Sequence, residues 1–254
     1  MSAPDIELRF DPNHLTVVAE HEDPRYAALV HDALSDARSV VNVWAGTGAY
    51  EPADRQVIAV EPREILARKR PSERIPALQA SPAALPLHDR SVDAAMAVRA
   101  VHEWGEACER GVREMRRVAR GPVVILTLDT RVSSEMWLQA EYLPLLNELN
   151  AEMFPSIDDL AAWLGGSVEV RTVPVPRDST DWPLSSLWGR PERLCEPGAR
   201  ERSRSFSALP AEALDRGLAK LRRDLADGTW DRRYGHLRAL YEYDVGLRLI
   251  VGLP

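Results

Sequence analysis

The chain has 254 residues, of which 45% are hydrophobic, and it carries a formal net charge of −7. This length suits one large domain, and the acidic balance argues against a general nucleic-acid or anionic-membrane binder. Its two cysteines, Cys108 and Cys195, lie far apart and form no ligand motif, so no metal site and no disulfide framework are expected. No signal-peptide pattern and no apolar run of about 20 residues is visible. We therefore expect a cytoplasmic protein without a membrane segment.

The first half of the chain alternates between helical and strand patterns. Helices are predicted over 24–37, near 65–70 and over 108–119, and strands over 40–43, 56–60, 75–79, 93–98 and 122–128. Pro24 suits the first position of the first helix, and Gly121 ends the third. Strands that alternate with helices in this way predict an α/β fold with a doubly wound, largely parallel sheet.

The second half contains longer helical patterns. They cover 135–150, 157–164, 214–225 and 230–243, and strands are predicted over 167–175 and 245–252. From Pro176 to about Pro210 the composition shifts to Pro, Trp, Ser and Arg without clean periodicity. We predict a single domain over 1–254, in which 176–243 forms a helical cap or lid between the last two strands.

A small-residue turn follows the first strand. The apolar run Val40–Val43 stops at Ala45-Gly46-Thr47-Gly48, and the second strand ends on a carboxylate, Glu61. Glycine allows a tight turn or a close approach to a ligand, and an acid in this place accepts hydrogen bonds from a ribose. A plain tight connection and a dinucleotide site are the alternatives, although Glu51 stands where the third glycine of a GxGxxG pattern would lie.

One residue of the turn is out of place. Trp44 occupies the position where such a loop normally has its first glycine. If the indole points away from the site, the loop is only shifted. If the indole points inwards, it blocks the site or becomes part of a reshaped pocket.

Three segments together carry a family resemblance. The glycine turn, Glu61 and the run Leu85-Pro86-Leu87-His88-Asp89-Arg90-Ser91-Val92-Asp93 resemble motifs of the class I S-adenosylmethionine-dependent methyltransferases. The likeness covers the first ~130 residues and is to the small-molecule kind, similar to ubiquinone and menaquinone methyltransferases. Asn42 and Trp44 depart from the usual acid and first glycine. The resemblance implies a Rossmann-like, seven-stranded, mostly parallel sheet whose last strand is antiparallel, and S-adenosylmethionine as the cofactor.

The resemblance also implies where the cofactor binds. The residues expected to bind it are Trp44, Ala45, Gly46, Gly48, Glu61, Pro62, Ala80, Ser81 and Val98. Ser81 stands where the family commonly has an aspartate that reaches the adenine. A serine can still accept a hydrogen bond there, but it is equally well explained as a turn residue.

Candidate catalytic and substrate-binding residues lie further along the chain. His102 and Glu103 follow a buried strand at the carboxyl edge of the sheet, where they could accept a proton from a substrate. A loop-fixing histidine and a solvated acid are the alternatives. Asp178, Trp182 and Trp188 are expected to bind the acceptor substrate, although a polar turn and core packing explain them as well.

Two functions follow from these patterns. The first is methyl transfer from S-adenosylmethionine to an O, N or C nucleophile of a small molecule by direct displacement, without a metal. The second is a catalytically degenerate methyltransferase-like protein, either a regulatory partner or a cofactor binder that transfers no methyl group, because of Trp44 and Ser81. The expected partner is a small-molecule acceptor rather than nucleic acid or membrane, and the sequence does not indicate an oligomeric state.

Overall fold

The computed structural model describes residues 22–179, 185–197, 206 and 208–254. The chain is divided into two compact units. The sheet unit comprises Glu20–Arg131, Ala151–Pro174 and Gly246–Pro254. The helical unit contains Val132–Asn150 and Val175–Val245. It therefore includes residues before the segment that we predicted as a cap, and the single-domain organisation stays a prediction.

A six-stranded sheet organises the sheet unit. In chain order, the strands of the described residues are β1 (Ser39–Val43), β2 (Gln56–Val60), β3 (Ala94–Val98), β4 (Val123–Leu128), β5 (Ser167–Thr172), β6 (Val175–Pro176), β7 (Glu242–Tyr243) and β8 (Leu247–Leu253). The sheet has the order β2-β1-β3-β4-β8-β5. Neighbours from β2 to β4 pair in parallel, and β8 pairs antiparallel with both β4 and β5. The predicted mostly parallel sheet and its antiparallel last strand are confirmed.

The predicted count of seven strands is wrong by one. Of the predicted strand at 75–79, only Leu78 makes a parallel bridge, to Val60 at the outer edge of β2. Pro76 has no amide hydrogen to donate, so a regular ladder cannot extend through this segment. The sheet keeps a single bridge where the seventh strand was expected.

Helices cover the sheet and build the helical unit. They are α1 (Pro24–Ala33), α2 (Glu64–Ala67), α3 (Cys108–Val118), α4 (Thr130–Ser133), α5 (Leu145–Met153), α6 (Ile157–Leu164), α7 (Ala211–Ala226) and α8 (Thr229–Tyr234). Valines and other apolar side chains of the sheet pack with α3 and α6 in a buried core cluster. The helices predicted over 108–119, 157–164 and 214–225 are present as α3, α6 and α7.

Two predicted helices are interrupted. The segment 135–150 forms a π-helical turn, Leu138–Tyr142, and then α5, because Pro144 cannot continue a helix and disfavours helical geometry in the residue before it. The segment 230–243 forms α8, a 3₁₀ turn at Gly235–Ala239 and then β7. The local pattern was helical in both cases, but Pro144 interrupts the first, and in the second the last residues pair with β6 as β7.

The arrangement of β1 locates a crevice. β2 pairs on one side of β1 and β3 on the other, so the chain reverses its direction of travel across the sheet between β1 and β3. Ligands of open α/β sheets bind beyond the carboxyl ends of the strands at such a switch point. The loops that follow β1, β2 and β3 therefore form the candidate site.

An aromatic core holds the helical unit together. Trp137 packs edge-on against Tyr142 and Trp230, and Tyr234 packs at a tilt against Trp230. The side chain of Glu141 accepts hydrogen bonds from Tyr234 and Arg233 at the rim of this cluster. Burial is the main cause that raises the pKa of Tyr234, to about 12. Among the described residues, no helix is long and apolar enough to cross a membrane.

Candidate active site

The glycine turn is anchored on the end of β2. The backbone N–H groups of Trp44 and Ala45 both donate to the carbonyl of Val60, at 2.8 and 2.9 Å. Gly46 and Gly48 have φ values of 53° and 97°, a region in which a glycine is favoured because it has no Cβ. The turn therefore depends on its glycines and stays in contact with the neighbouring strand.

Glu61 lies against this turn and is fully buried. The backbone N–H of Gly46 donates to Oε2 of Glu61 at 2.7 Å. Oε1 accepts from the backbone N–H of Arg63 at 2.9 Å and from Nε of Arg63 at 2.8 Å, and Nη2 of Arg63 lies 3.3 Å from Oε2. The glycine turn and the acid that closes β2 thus meet directly, and the acid is ion-paired with a residue two positions further on.

Trp44 points into the crevice. Its φ is 67°, so a bulky residue adopts the left-handed geometry that its position requires. Its indole Nε1 donates to Oε2 of Glu103 at 3.3 Å, although Trp44 follows β1 and Glu103 lies in the 3₁₀ turn after β3, on opposite sides of the switch point. Of the two orientations that the sequence allowed, the structure has the inward one.

Arg63 completes a four-residue group with Trp44, Glu61 and Glu103, which we call the Arg63 cluster. The guanidinium carbon lies 4.8 Å from the centroid of the Trp44 ring, within cation–π range. Nη1 of Arg63 lies 2.5 Å from Oε2 of Glu103, and both side chains are partly exposed. One guanidinium therefore contacts residues from the ends of all three strands.

A second ion pair supports the glycine turn. Nη2 of Arg70 lies 2.9 and 2.8 Å from the two carboxylate oxygens of Glu51, and only 3% and 2% of these side chains are exposed. Asn42 donates to the same carboxylate at 3.0 Å, and Nη1 of Arg70 donates to the carbonyl of Gly46 at 3.3 Å. The connection between β1 and β2 contains turns but no helix. The hydrogen bonds of this buried ion pair therefore hold the connection in place, where helical hydrogen bonds are absent.

The comparisons with known proteins agree with this geometry. Residues 43–125 match a family model described as a methyltransferase domain. A protein from Anabaena variabilis, described as a methyltransferase of an antibiotic biosynthesis pathway, is similar in structure with a TM-score of 0.79 and 29% identity. That match covers 91% of this chain and 97% of the other. Over residues 43–125 the chain is therefore similar to methyltransferase domains, and this similarity indicates S-adenosylmethionine as the cofactor.

Two further solved structures support the fold alone. The YcgJ protein from Bacillus subtilis has a TM-score of 0.54 and 17% identity over 91% of this chain and 98% of its own. A protein from Bacillus halodurans, described as a methyltransferase, has a TM-score of 0.52 and 11% identity over 89% and 96%. No curated protein matches the chain.

The segment that carried much of the family resemblance is held by α3. Arg117 donates to the carbonyls of Leu85 and Leu87 and to the carboxylate of Asp89, at 3.2, 2.9 and 2.6 Å. Glu114 accepts from the backbone N–H of Leu85 at 2.9 Å, and hydrogen bonds from Arg117 are the main cause that lowers its pKa. The segment therefore shapes the loop before β3, and its contacts are structural.

The remaining predicted cofactor residues lie around the same edge. Pro62 directly follows Glu61, and Val98 is the last residue of β3, and both are partly buried. Ala80 packs against the core cluster. Ser81 is exposed, and its Oγ accepts from the backbone N–H of Ala83 at 3.2 Å. That contact is typical of a turn serine, which was the alternative to an adenine contact.

The two predicted catalytic residues have different surroundings. His102 lies in a short 3₁₀ turn after β3, and its ring stacks on Phe154 with centroids 4.4 Å apart. Glu103 is its neighbour in sequence, but it pairs with Arg63 and Trp44 in the Arg63 cluster. The structure brings Trp44, Glu61 and Glu103 together, while His102 packs against a different aromatic residue.

The predicted substrate residues all fall in the helical unit or outside the described residues. Asp178 is exposed, and Trp182 lies outside the described residues. Trp188 is fully buried, where its indole donates to the carbonyl of Val175 at 2.9 Å and packs against Tyr243. Its contacts are those of a core residue, which was the alternative explanation.

Sequence reasoning missed the cations of the site. Arg63 stands two residues after the acid in Glu61-Pro62-Arg63, and this proximity could have indicated an ion pair. The partnership of Arg70 with Glu51 has no comparable signal, because 19 residues separate the two. Phe154 was missed for the same reason, since it reaches His102 from the segment between α5 and α6.

Proposed function

We propose that this chain transfers a methyl group from S-adenosylmethionine to an O, N or C nucleophile of a small molecule by direct displacement. The observation that supports it most is the hydrogen bond from the backbone of Gly46 to the carboxylate of Glu61, at the switch point of the sheet. A backbone turn without Cβ atoms next to a buried acid suits a ligand that carries both a charged end and a ribose.

The roles of the residues follow from their positions. Ala45, Gly46 and Gly48 line the turn that would receive the amino-acid end of the donor, and Glu61 would accept from the ribose hydroxyls. The sulfonium of the donor supplies an activated methyl group, so the chain needs mainly to align the reactants and to exclude water. His102 is the proposed proton acceptor, because Glu103 already serves an ion pair with Arg63.

The Arg63 cluster also supports a second candidate, a methyltransferase-like protein that does not transfer methyl groups. The Trp44 indole crosses the crevice to Glu103, and the carboxylate of Glu61 is covered by Arg63 and Gly46. A site whose acid is already paired binds a donor only if a side chain moves. This candidate predicts no affinity for the donor, or affinity without turnover.

Calorimetric titration with S-adenosylmethionine and with S-adenosylhomocysteine tests the two candidates. Micromolar binding of both ligands together with turnover of an acceptor supports the enzyme, and no heat at millimolar donor argues against it. A panel of phenols, amines and carbon acids, assayed for release of S-adenosylhomocysteine, then searches for the acceptor. The variant His102→Gln should lower turnover of any acceptor found and leave donor affinity unchanged, whereas a fall in donor affinity would contradict the role as proton acceptor.

A further inference from the structure

The carboxylate of Glu61 has its full complement of hydrogen-bond donors. A carboxylate offers about four acceptor positions on its two oxygens. The backbone N–H groups of Gly46 and Arg63 take two of them, at 2.7 and 2.9 Å. Nε and Nη2 of Arg63 take the other two, at 2.8 and 3.3 Å. No position is left for a further donor while the guanidinium stays in place.

The two side-chain contacts of Arg63 resemble those of a ribose. The vicinal 2′- and 3′-hydroxyl groups form a fork of two donors, and so do the Nε and Nη2 groups of a guanidinium. The backbone donors cannot leave without a change of fold, since Gly46 belongs to the glycine turn after β1 and Arg63 to the segment after β2. The guanidinium is therefore the only one of these donors that a bound ribose can replace.

Arg63 has a second set of partners a short distance away. Its Nη1 pairs with Glu103, and the face of the Trp44 ring lies below the guanidinium carbon. Glu61 is fully buried, whereas 21% of the Arg63 side chain and 17% of the Glu103 side chain are exposed. The acid cannot move out to meet a ligand, but the guanidinium can rotate about its side-chain bonds and keep its contact with Glu103.

We propose that Arg63 competes with the ribose diol of the methyl donor for Glu61, and that Glu103 holds the guanidinium when the donor displaces it. This inference rests on the proposed function, because it assumes that Glu61 is the ribose acceptor. It assigns to Arg63 and Glu103 a role in setting donor affinity rather than in the chemical step. Every ligand with an intact ribose meets this competition, including the demethylated product.

The test compares the affinities of four forms of the full chain for S-adenosylhomocysteine and for 5′-methylthioadenosine, by calorimetry at one salt concentration. Arg63→Met keeps much of the length of the side chain but has no donor, so it should bind both ligands at least about tenfold more tightly than the wild type. Glu103→Gln removes the carboxylate that stays paired with the guanidinium after it leaves Glu61, so both ligands should bind more weakly, by about threefold or more. In the double variant, Glu103→Gln should have no further effect, because no guanidinium is left to hold.

Two controls make the result specific. Arg68→Met removes an exposed arginine that pairs with Glu64 near α2, and it should leave both affinities unchanged. The 2′-deoxy form of 5′-methylthioadenosine lacks one of the two competing hydroxyls, so the gain from Arg63→Met should shrink with this ligand. Arg63→Lys offers fewer donors than arginine and should lie between the wild type and Arg63→Met, which gives a second measurement if the methionine variant folds poorly.

The possible outcomes separate the two claims. Unchanged or weaker binding by Arg63→Met, with measurable binding by the wild type, overturns the competition and leaves the proposed function standing. A wild type that binds nothing and an Arg63→Met variant that binds at micromolar concentration support the competition in its strongest form. An absence of binding by the wild type and by both Arg63 variants at millimolar ligand overturns the proposed function, and the competition with it.

Discussion

Replacement of Arg70 by methionine should strongly destabilise the protein. Arg70 and Glu51 are bonded through both carboxylate oxygens at 2.8–2.9 Å, and 2–3% of their side chains is exposed. Removing one partner of a buried pair leaves an uncompensated charge, which typically costs about 3–5 kcal/mol. Asn42 still donates to Glu51 in this variant, and Arg74 stays 3.9 Å from it, so we expect the lower end of that range.

Urea unfolding followed by circular dichroism measures this loss of unfolding free energy. Thermal unfolding gives a second measurement: at about 3 °C per kcal/mol for a chain of this size, a loss of 3 kcal/mol lowers the Tm by roughly 9 °C. The double variant Arg70→Met/Glu51→Leu removes both charges, and it should recover most of the loss. Arg113→Met breaks an exposed pair with Glu109 and should cost less than about 1 kcal/mol.

Ligand binding gives a second measurement of the same variant. Arg70 donates to the carbonyl of Gly46, in the turn that would receive the amino-acid end of the donor. S-adenosylhomocysteine carries the amino-acid end and 5′-methylthioadenosine does not, so Arg70→Met should lower the affinity for the first ligand more than the affinity for the second. A change in stability below about 1 kcal/mol, the range of an exposed pair, would refute the argument for a desolvated pair. Equal weakening of the two ligands would refute the link to the turn.

Three further predictions concern other parts of the molecule. Trp44→Gly removes the strain of a left-handed backbone, which costs about 1–2 kcal/mol for a residue with a Cβ, and it also clears the crevice. The affinity for the donor should therefore rise by about tenfold or more in a calorimetric titration. A loss of affinity would instead show that the indole contacts the bound donor. Gly217→Ala should destabilise the protein despite the better helix propensity of alanine, because the added Cβ would lie 2.2 Å from the carbonyl oxygen of Tyr142. The control Ala219→Gly, on the same helix, should cost only about 1 kcal/mol of unfolding free energy. Thermal unfolding of both variants measures the two effects. Hydrogen bonds from Arg120 and from Ser39 at the start of β1 hold the pKa of Asp93 well below its ordinary value of 3.8. The ionised carboxylate therefore stabilises the folded state above pH 3.8, and this stabilisation is lost as the pH falls towards the folded-state pKa. Asp93→Asn should be less stable than the wild type at pH 7, and the difference in unfolding free energy between the two should narrow in unfolding curves recorded below about pH 4.

Local patterns in the sequence were sufficient for much of the sheet. Runs of apolar residues bounded by turns predicted β1 to β4, and apolar stripes predicted α3 and α7, because burial imposes a period on each element. The pattern failed where a local signal conflicted with a neighbour. Pro76 reduces one expected strand to a bridge, and Pro144 divides one expected helix.

The candidate site divides in the same way. The glycine turn, Glu61 and Glu103 were predicted from the sequence, since each follows a recognisable strand and strand ends meet at one edge of a sheet. Asp178 and Trp188 lie in a segment without clean periodicity, so the sequence indicated no position for them relative to the site. In the structure Trp188 is a buried core residue.

The sequence by itself determined that this chain is an α/β protein with a methyltransferase-like turn, and it raised the question of which way Trp44 points. Only the tertiary structure decided that question, because the answer depends on Glu103 and Arg63, which lie 59 and 19 positions further along the chain and meet the indole through the order of the strands. The same is true of the four donors on Glu61 and of the ion pair below the turn. Such contacts carry no periodic signal, since an ion pair requires proximity in space and not a fixed separation in sequence.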